Sequence, residues 1–329
     1  MRVGLYVDMR NPPHRFRPWH SHYGRWLERF EEVERLGSDA IWLTEHHFFD
    51  DGYLPQCWTL AAAIAARTSR MRIGSAVTLL PLHSTIELAE QIALVDIISG
   101  GRAEPGFGVG YRKPEYLAFG GDFKSRYRVF AERITELREL WGEEEGDSPV
   151  VTPPPIQRPM PIWAGFGGPM GARVAGRLGL GLQSLDPAIY EDYRRALIDA
   201  GHEPDTARVA GHVELLVSDD PERTWAAIGD HVLYRWDSYH RYMFEGTRLE
   251  SDPPPAPDPD EVRRRFLIGT PEEVASAVHQ RVGGLPVTDL FVWADYPGIP
   301  DDTIDRHLEL TFSRVAPLIR GEARGQGSP

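Results

Sequence analysis

Eight short apolar runs recur along the chain, at 3–7, 40–44, 71–80, 102–107, 161–164, 180–184, 208–217 and 289–293. Each is separated from the next by a polar or glycine-bearing turn and, in most cases, a segment of helical periodicity. Between the first two runs, Tyr23, Trp26, Leu27, Phe30 and Val33 follow the i, i+3, i+4, i+7 spacing of an amphipathic helix. Ser84 to Glu87 reads as a capping box, and Asp220-Pro221 and Thr270-Pro271-Glu272-Glu273 read as helix starts. Strands that alternate with helices form a parallel sheet. Eight such units in 329 residues predict an α/β fold, a (β/α)8 TIM barrel with insertions, as one domain over 1–329. A doubly wound open sheet is the competing arrangement of the same alternation.

Two stretches depart from a minimal barrel. Residues 142–159 are acidic and then proline-rich, which predicts an insertion with a small hairpin near 150–156. Residues 243–262 hold a dense proline run between Ser251 and Pro259, and a loop of that length is either a disordered surface insertion or a lid that closes over the barrel mouth.

Composition removes several function classes. The net charge of −13 argues against a nucleic-acid or anionic-membrane surface. No apolar run reaches the roughly 18 residues of a membrane-spanning helix. The N-terminus lacks the charged and long apolar regions of a signal peptide. Cys57 is the single cysteine, so no intramolecular disulfide forms. A cytoplasmic protein is expected.

In a parallel barrel the chemistry sits at the C-terminal ends of the strands. Those ends carry Asp8, Glu45-His46-His47, Thr78, the glycines between Gly106 and Gly110, Gly165 to Gly168, Gln183, Ser184, Trp293 and Asp295. Adjacent residues of an extended chain point to opposite sides, so His46 and His47 are a poor pair of ligands for one metal ion. No metal is expected. A histidine at a strand end suits proton transfer, because imidazole titrates near neutrality. The run Gly165-Phe166-Gly167-Gly168-Pro169-Met170-Gly171 joins a strand to a helix, and its backbone N–H groups can approach a phosphate. Gly106, Gly108 and Gly110 leave space for a flat ligand, or mark a bend at the rim. Tyr234, Trp236, Tyr239, Tyr242 and Phe244 are either a pocket wall or ordinary core.

Several of these stretches resemble the bacterial luciferase-like flavin monooxygenase family. They are Ile41 to Phe48, Ile73 to Pro81, Gly101 to Tyr111 with Phe119-Gly120, Trp236-Asp237-Ser238-Tyr239, and Gly269 to Glu273. The resemblance runs in order along nearly the whole chain. It implies a TIM barrel that receives reduced FMN from a separate flavin reductase and, with O2, oxygenates a small organic substrate through a flavin C4a-hydroperoxide. It implies His46 as the catalytic histidine, with Glu45 and His47 in support. A non-proline cis peptide under the flavin ring would fall at Ala76-Val77. Gly108 replaces the family's reactive cysteine. The phosphate loop would fall on Gly165, Phe166, Gly167, Gly168 and Met170, with Ser184 nearby as a further cofactor contact. Beside Gly108, Val109 replaces an arginine of the family, and the phosphate loop has Phe166, Gly167, Gly168 and Met170 in place of the family's Glu, Ser and Thr, so backbone N–H groups would hold the phosphate. That departure leaves deazaflavin F420 as the alternative cofactor. A non-catalytic flavin-binding subunit is a third reading, opposed by the retained Glu45-His46-His47. The family's habit implies a homodimer.

Overall fold

A computed structural model describes residues 1–321; the last eight residues of the expected 1–329 domain lie outside the described part. The strands are β1 (Arg2–Val7), β2 (Ala40–Leu43), β3 (Arg72–Ser75), β4 (Thr78–Leu79), β5 (Ala103–Glu104) and β6 (Gly106–Gly108). They continue with β7 (Trp163–Ala164), β8 (Gly181–Gln183), β9 (Val209–Val213), β10 (Leu215–Val217), β11 (Leu267–Gly269) and β12 (Val287–Trp293). Ten of them form one parallel sheet in the order β4-β6-β7-β8-β9-β12-β1-β2-β3-β5. The sheet is curled, helices connect its strands, and the fold is α/β and TIM-like.

A continuous ring of eight strands was expected, and the sheet differs from it in a defined way. The third and fourth runs are each broken in two. The Ala76-Val77 peptide between β3 and β4 is cis. Pro105, which has no N–H to donate to a ladder, separates β5 from β6. The hydrogen-bonded order therefore begins at β4 and finishes at β5, and chain continuity through β3–β4 and β5–β6 links its two ends. The seventh run is also divided, at Glu214. β9 stays in the main sheet, while β10 leaves it to pair with β11 in a separate two-stranded parallel sheet.

Alternation along the strands separates two cores. Val3, Leu5, Val7, Ile41 and Leu43 belong to the large cluster that packs against the helices. Ala40, Trp42, Ala76, Trp163, Ala210 and Phe291, with Tyr6 against them, fill the space enclosed by the sheet. Trp42 meets Trp163 edge to face at 5.8 Å. A Cβ at Gly74 would come within 2.6 Å of Trp42, and one at Gly181 within 2.4 Å of Trp163, so the two indoles occupy the volume these glycines leave. Beneath them the Glu104 carboxylate accepts from Trp163 Nε1 at 2.6 Å and from Arg2 at 3.0 Å, and pairs with Arg72. This closes the floor and leaves the other end for ligands.

The helix signals hold at their termini. The helix Trp19–Arg35 carries the predicted stripe, with Trp26, Phe30 and Val33 buried. The Ser84 side chain accepts from Glu87 N at the start of Thr85–Ser99, and Gly100 ends that helix in the left-handed conformation, φ 72°. Thr270 and Glu273 form a reciprocal capping box. Residues 142–159 contain no strand, so the expected hairpin is absent; Pro153, Pro154 and Pro155 supply no N–H for one. The segment is held instead by Asp96, whose carboxylate accepts from Ile156 N at 2.8 Å and from Gln157 N at 2.9 Å. No helix of the described residues is long and apolar enough to cross a membrane.

Gly108 and Gly165 are required by a neighbour in the sheet. A Cβ at Gly108 would lie 2.5 Å from Val77 Cγ2, and one at Gly165 would lie 2.3 Å from Val77 Cγ1. Gly165→Ala is therefore expected to destabilise the fold by about 1–3 kcal/mol, the usual range for overpacking. Val77→Ala in the same chain should recover most of the loss. Urea unfolding of the two single variants and the double variant tests this, and purely additive effects would refute the contact.

Candidate active site

A cavity of about 650 Å³ opens at the C-terminal ends of the strands. Its wall includes Glu45 and His46 after β2, Ala76 and Val77 between β3 and β4, and Gly108 to Tyr111 after β6. Gly165 to Gly168 after β7, His212 and Glu214 around the end of β9, and Trp293 at the end of β12 complete the rim. Arg235, Trp236, Tyr239 and Met243 reach in from the helix Pro221–Phe244. A second cavity of about 690 Å³ shares Tyr6, Ala76, Val77, Gly165 to Gly167 and His212 with the first, and adds Gln183, Ser184, Arg265 and Arg281. Each has the size of a small-molecule site.

The three residues expected to act together are divided between two carboxylates. His46 lines the cavity, and its Nδ1 is 3.0 Å from Glu115 Oε1. A carboxylate accepts here, so Nδ1 carries the proton and Nε2 is left to take one. The same Glu115 oxygen accepts from the His47 backbone N–H at 2.9 Å. Arg112 donates to the His47 carbonyl, lies 3.4 Å from Glu115, and pairs with Glu245. The His46 ring stacks on Phe49 at 5.0 Å and meets Tyr53 and Tyr111 edge-on. Burial lowers the His46 pKa from its ordinary value, opposed by the hydrogen bond and charge of Glu115.

Glu45 and His47 face another partner. Glu45 Oε1 lies 2.9 Å from His47 Nε2 and 2.7 Å from His83 Nε2. Burial acts to raise the Glu45 pKa, but the charge of His83 and hydrogen bonds from both histidines outweigh it and hold it at about 2. The ligating atoms of Glu45, His47 and His83 lie within 4.8 Å of one another, a geometry open to a metal ion, although the three groups already satisfy each other. The structure thus sets Glu115 rather than Glu45 against the His46 ring, and sets Glu45 against His47 and His83. The sequence offers little sign of Glu115, which lies 69 positions from His46 on the short helix Lys113–Ala118.

The remaining expected contacts separate further. Ala76, Val77, Gly108 and Gly165 to Gly168 line the first cavity. Ser184 lines the second. Met170 is exposed and lines neither cavity. Phe166 packs its ring against Tyr127 and Phe130. A Cβ at Gly167 or Gly168 would meet nothing within 4 Å, so this backbone is open just ahead of the helix Pro169–Arg177. Of the lid expected at 243–262, Met243 is the residue on the first cavity's wall among those described; the helix Pro221–Phe244 forms that side. His83, Glu115, His212, Glu214 and Arg235 were not singled out from the sequence.

A TIM-like parallel sheet with a preformed cavity at its strand ends is an architecture that α/β enzymes share. The chain belongs to the luciferase-like monooxygenase family, whose profile matches residues 1–288. It is 32% identical over 152 residues to the oxygenase component of a flavin-dependent trigonelline monooxygenase from Acinetobacter baylyi, covering 43% of this chain and 42% of that one. It is 32% identical over 173 residues to an F420-dependent glucose-6-phosphate dehydrogenase from Amycolatopsis mediterranei, covering 47% and 51%. The chain thus spans about half or less of the length of these curated relatives. The structure of the monooxygenase RslO1 from Streptomyces bottropensis superposes with a TM-score of 0.80 at 25% identity, covering 96% of this chain and 99% of that one.

Glu115→Gln removes the charge that opposes the lowering of the His46 pKa. Any pH-rate limb governed by His46 is expected to move to lower pH in this variant. A pH profile of turnover checks it, and an unmoved limb would mean that Glu115 does not tune His46.

Proposed function

We propose that the chain is the oxygenase of a two-component flavin-dependent monooxygenase that takes reduced FMN from a separate flavin reductase and uses O2 to oxygenate a small organic substrate. The observation that carries this reading is His46, held by Glu115 on the wall of a cavity that Ala76 and Val77 also line. The residues present fit a flavin. Val77, wedged between Gly108 and Gly165, offers a firm platform for a planar ring. The open backbone at Gly167 and Gly168, ahead of a helix N-terminus, suits a phosphate. Reduced flavin, when bound, supplies the activation of O2. The protein supplies His46 Nε2 as the site that accepts and returns a proton, and Tyr53, Tyr111, Trp236, Tyr239 and Met243 as a wall that limits water. Taken with β3–β4 and β5–β6 as single interrupted strands, the sheet reads as the eight-strand barrel on which such sites are built.

F420 is the second reading. It is favoured by the scarcity of side-chain donors at Phe166, Gly167, Gly168 and Met170, and by the name of the Amycolatopsis relative. Titrating the apoprotein with reduced FMN and with reduced F420 decides between them, and selective F420 binding would reject the oxygenase. With FMN, His46→Ala is expected to lower oxygenated product per reduced flavin by about 10²-fold or more, the scale of general acid–base catalysis. Unchanged product would remove His46 from the mechanism.

We further propose that two copies associate, in the cytoplasm, through the helix Thr85–Ser99. Ile86, Leu94 and Ile98 lie exposed along one face of that helix, whose opposite face is buried. Leu94→Glu should convert a dimer to a monomer in light scattering after size exclusion; an unchanged mass would place the contact elsewhere.

A further inference from the structure

The unpartnered polar atoms on the first cavity's residues are of one kind. The cavity's buried side-chain polar atoms without a partner are Arg235 Nε and Nη1, Trp236 Nε1, Trp293 Nε1 and the Tyr111 hydroxyl. Among the described residues of this wall, each such atom carries a hydrogen to donate. Buried donors left without acceptors are costly, so the wall is complementary to a ligand that brings oxygen acceptors.

Arg235 is the strongest of these donors. It is 2% exposed, and its guanidinium lies 4.1 Å from the Trp293 ring centroid and 5.2 Å from that of Tyr296. Nη2 pairs with Glu214, at the point where the seventh run breaks between β9 and β10. That pairing fixes the guanidinium and cancels its charge. Asp8 and Arg10, which lie 3.7 Å apart as an ion pair, act on it with opposite signs. A carboxylate docking here would meet Glu214 as well as Arg235. A neutral carbonyl oxygen would receive the Nε–H or Nη1–H without that repulsion. Tyr6, Trp236, Tyr239 and Trp293 surround the position with flat aromatic faces.

We propose that Arg235, held by Glu214, is a specificity-determining residue that donates to a neutral carbonyl oxygen on a planar aromatic substrate. The proposal rests on the reading of the first cavity as the substrate chamber. The ring carbonyls of a flavin share this chemistry, so the test separates the two ligands.

The full-length protein, without flavin, is titrated by calorimetry with acetonaphthone, naphthalene and naphthoate, which share one ring system and differ in the acceptor. Acetonaphthone is expected to bind about tenfold more tightly than either of the others. Arg235→Lys keeps a cation beside Glu214 but withdraws the guanidinium donors, and it should erase the preference over naphthalene. Glu214→Gln leaves the guanidinium uncompensated and should shift the preference towards naphthoate, an effect that loss of fold would not produce. Tighter binding of naphthoate by the wild type, or an equal affinity for ketone and hydrocarbon, would overturn the proposal. FMN affinity is measured in parallel. If Arg235→Lys weakens FMN and spares acetonaphthone, the donors serve the flavin and the substrate assignment falls. Failure of FMN to bind the wild type would count against the oxygenase reading and leave the probe comparison standing.

Discussion

The site depends on one packing contact, the Val77 side chain held between Gly108 and Gly165. These two glycines end β6 and follow β7, while Val77 lies in the break between β3 and β4. Three parts of the sheet are thereby locked at one point. The tight interior around Val77 leaves little freedom for the adjacent peptide, and the same point forms the boundary shared by both cavities. A sequence with larger residues at either glycine would have to move the peptide, and the surface offered to a ligand with it.

Around that platform, two buried carboxylates do different jobs. Glu115 accepts from the His46 ring and from the His47 backbone, so it sets the direction of the cavity-facing imidazole and opposes the lowering of its pKa by burial. Glu45 stays ionised between His47 and His83 and forms the base beneath that group. The adjacent histidines point to different partners because the extended chain turns them apart, the same geometry that argued against their sharing an ion.

The sequence makes the strands and helices legible because burial and periodicity are local signals. The alternation that separates Ile41 and Leu43 from Ala40 and Trp42 is visible in the residues themselves. The glycine run after β7 and the cluster on the helix Pro221–Phe244 were readable for the same reason. The breaks were harder. Pro105 is an evident interruption, but nothing at Ala76-Val77 marks a cis bond without the family resemblance, and Glu214 looks like any acidic residue near a strand end. Partners set by tertiary contact were invisible: Glu115 for His46, His83 for Glu45 and Glu214 for Arg235. The glycines were legible as space, but Val77 fills the space at Gly108 and Gly165.

The departure of β10 from the main sheet has a consequence for how such a protein can diversify. β10 and β11 lie side by side, and the 218–266 segment leaves from one and returns to the other. Within it lies the helix that contributes Arg235, Trp236, Tyr239 and Met243. The clasp makes that segment a cassette: its ends are pinned outside the ladder that carries the platform and His46. Changes in its length or side chains can recut the cavity wall while Val77 and His46 keep their geometry, so the two sides of the cavity can vary separately.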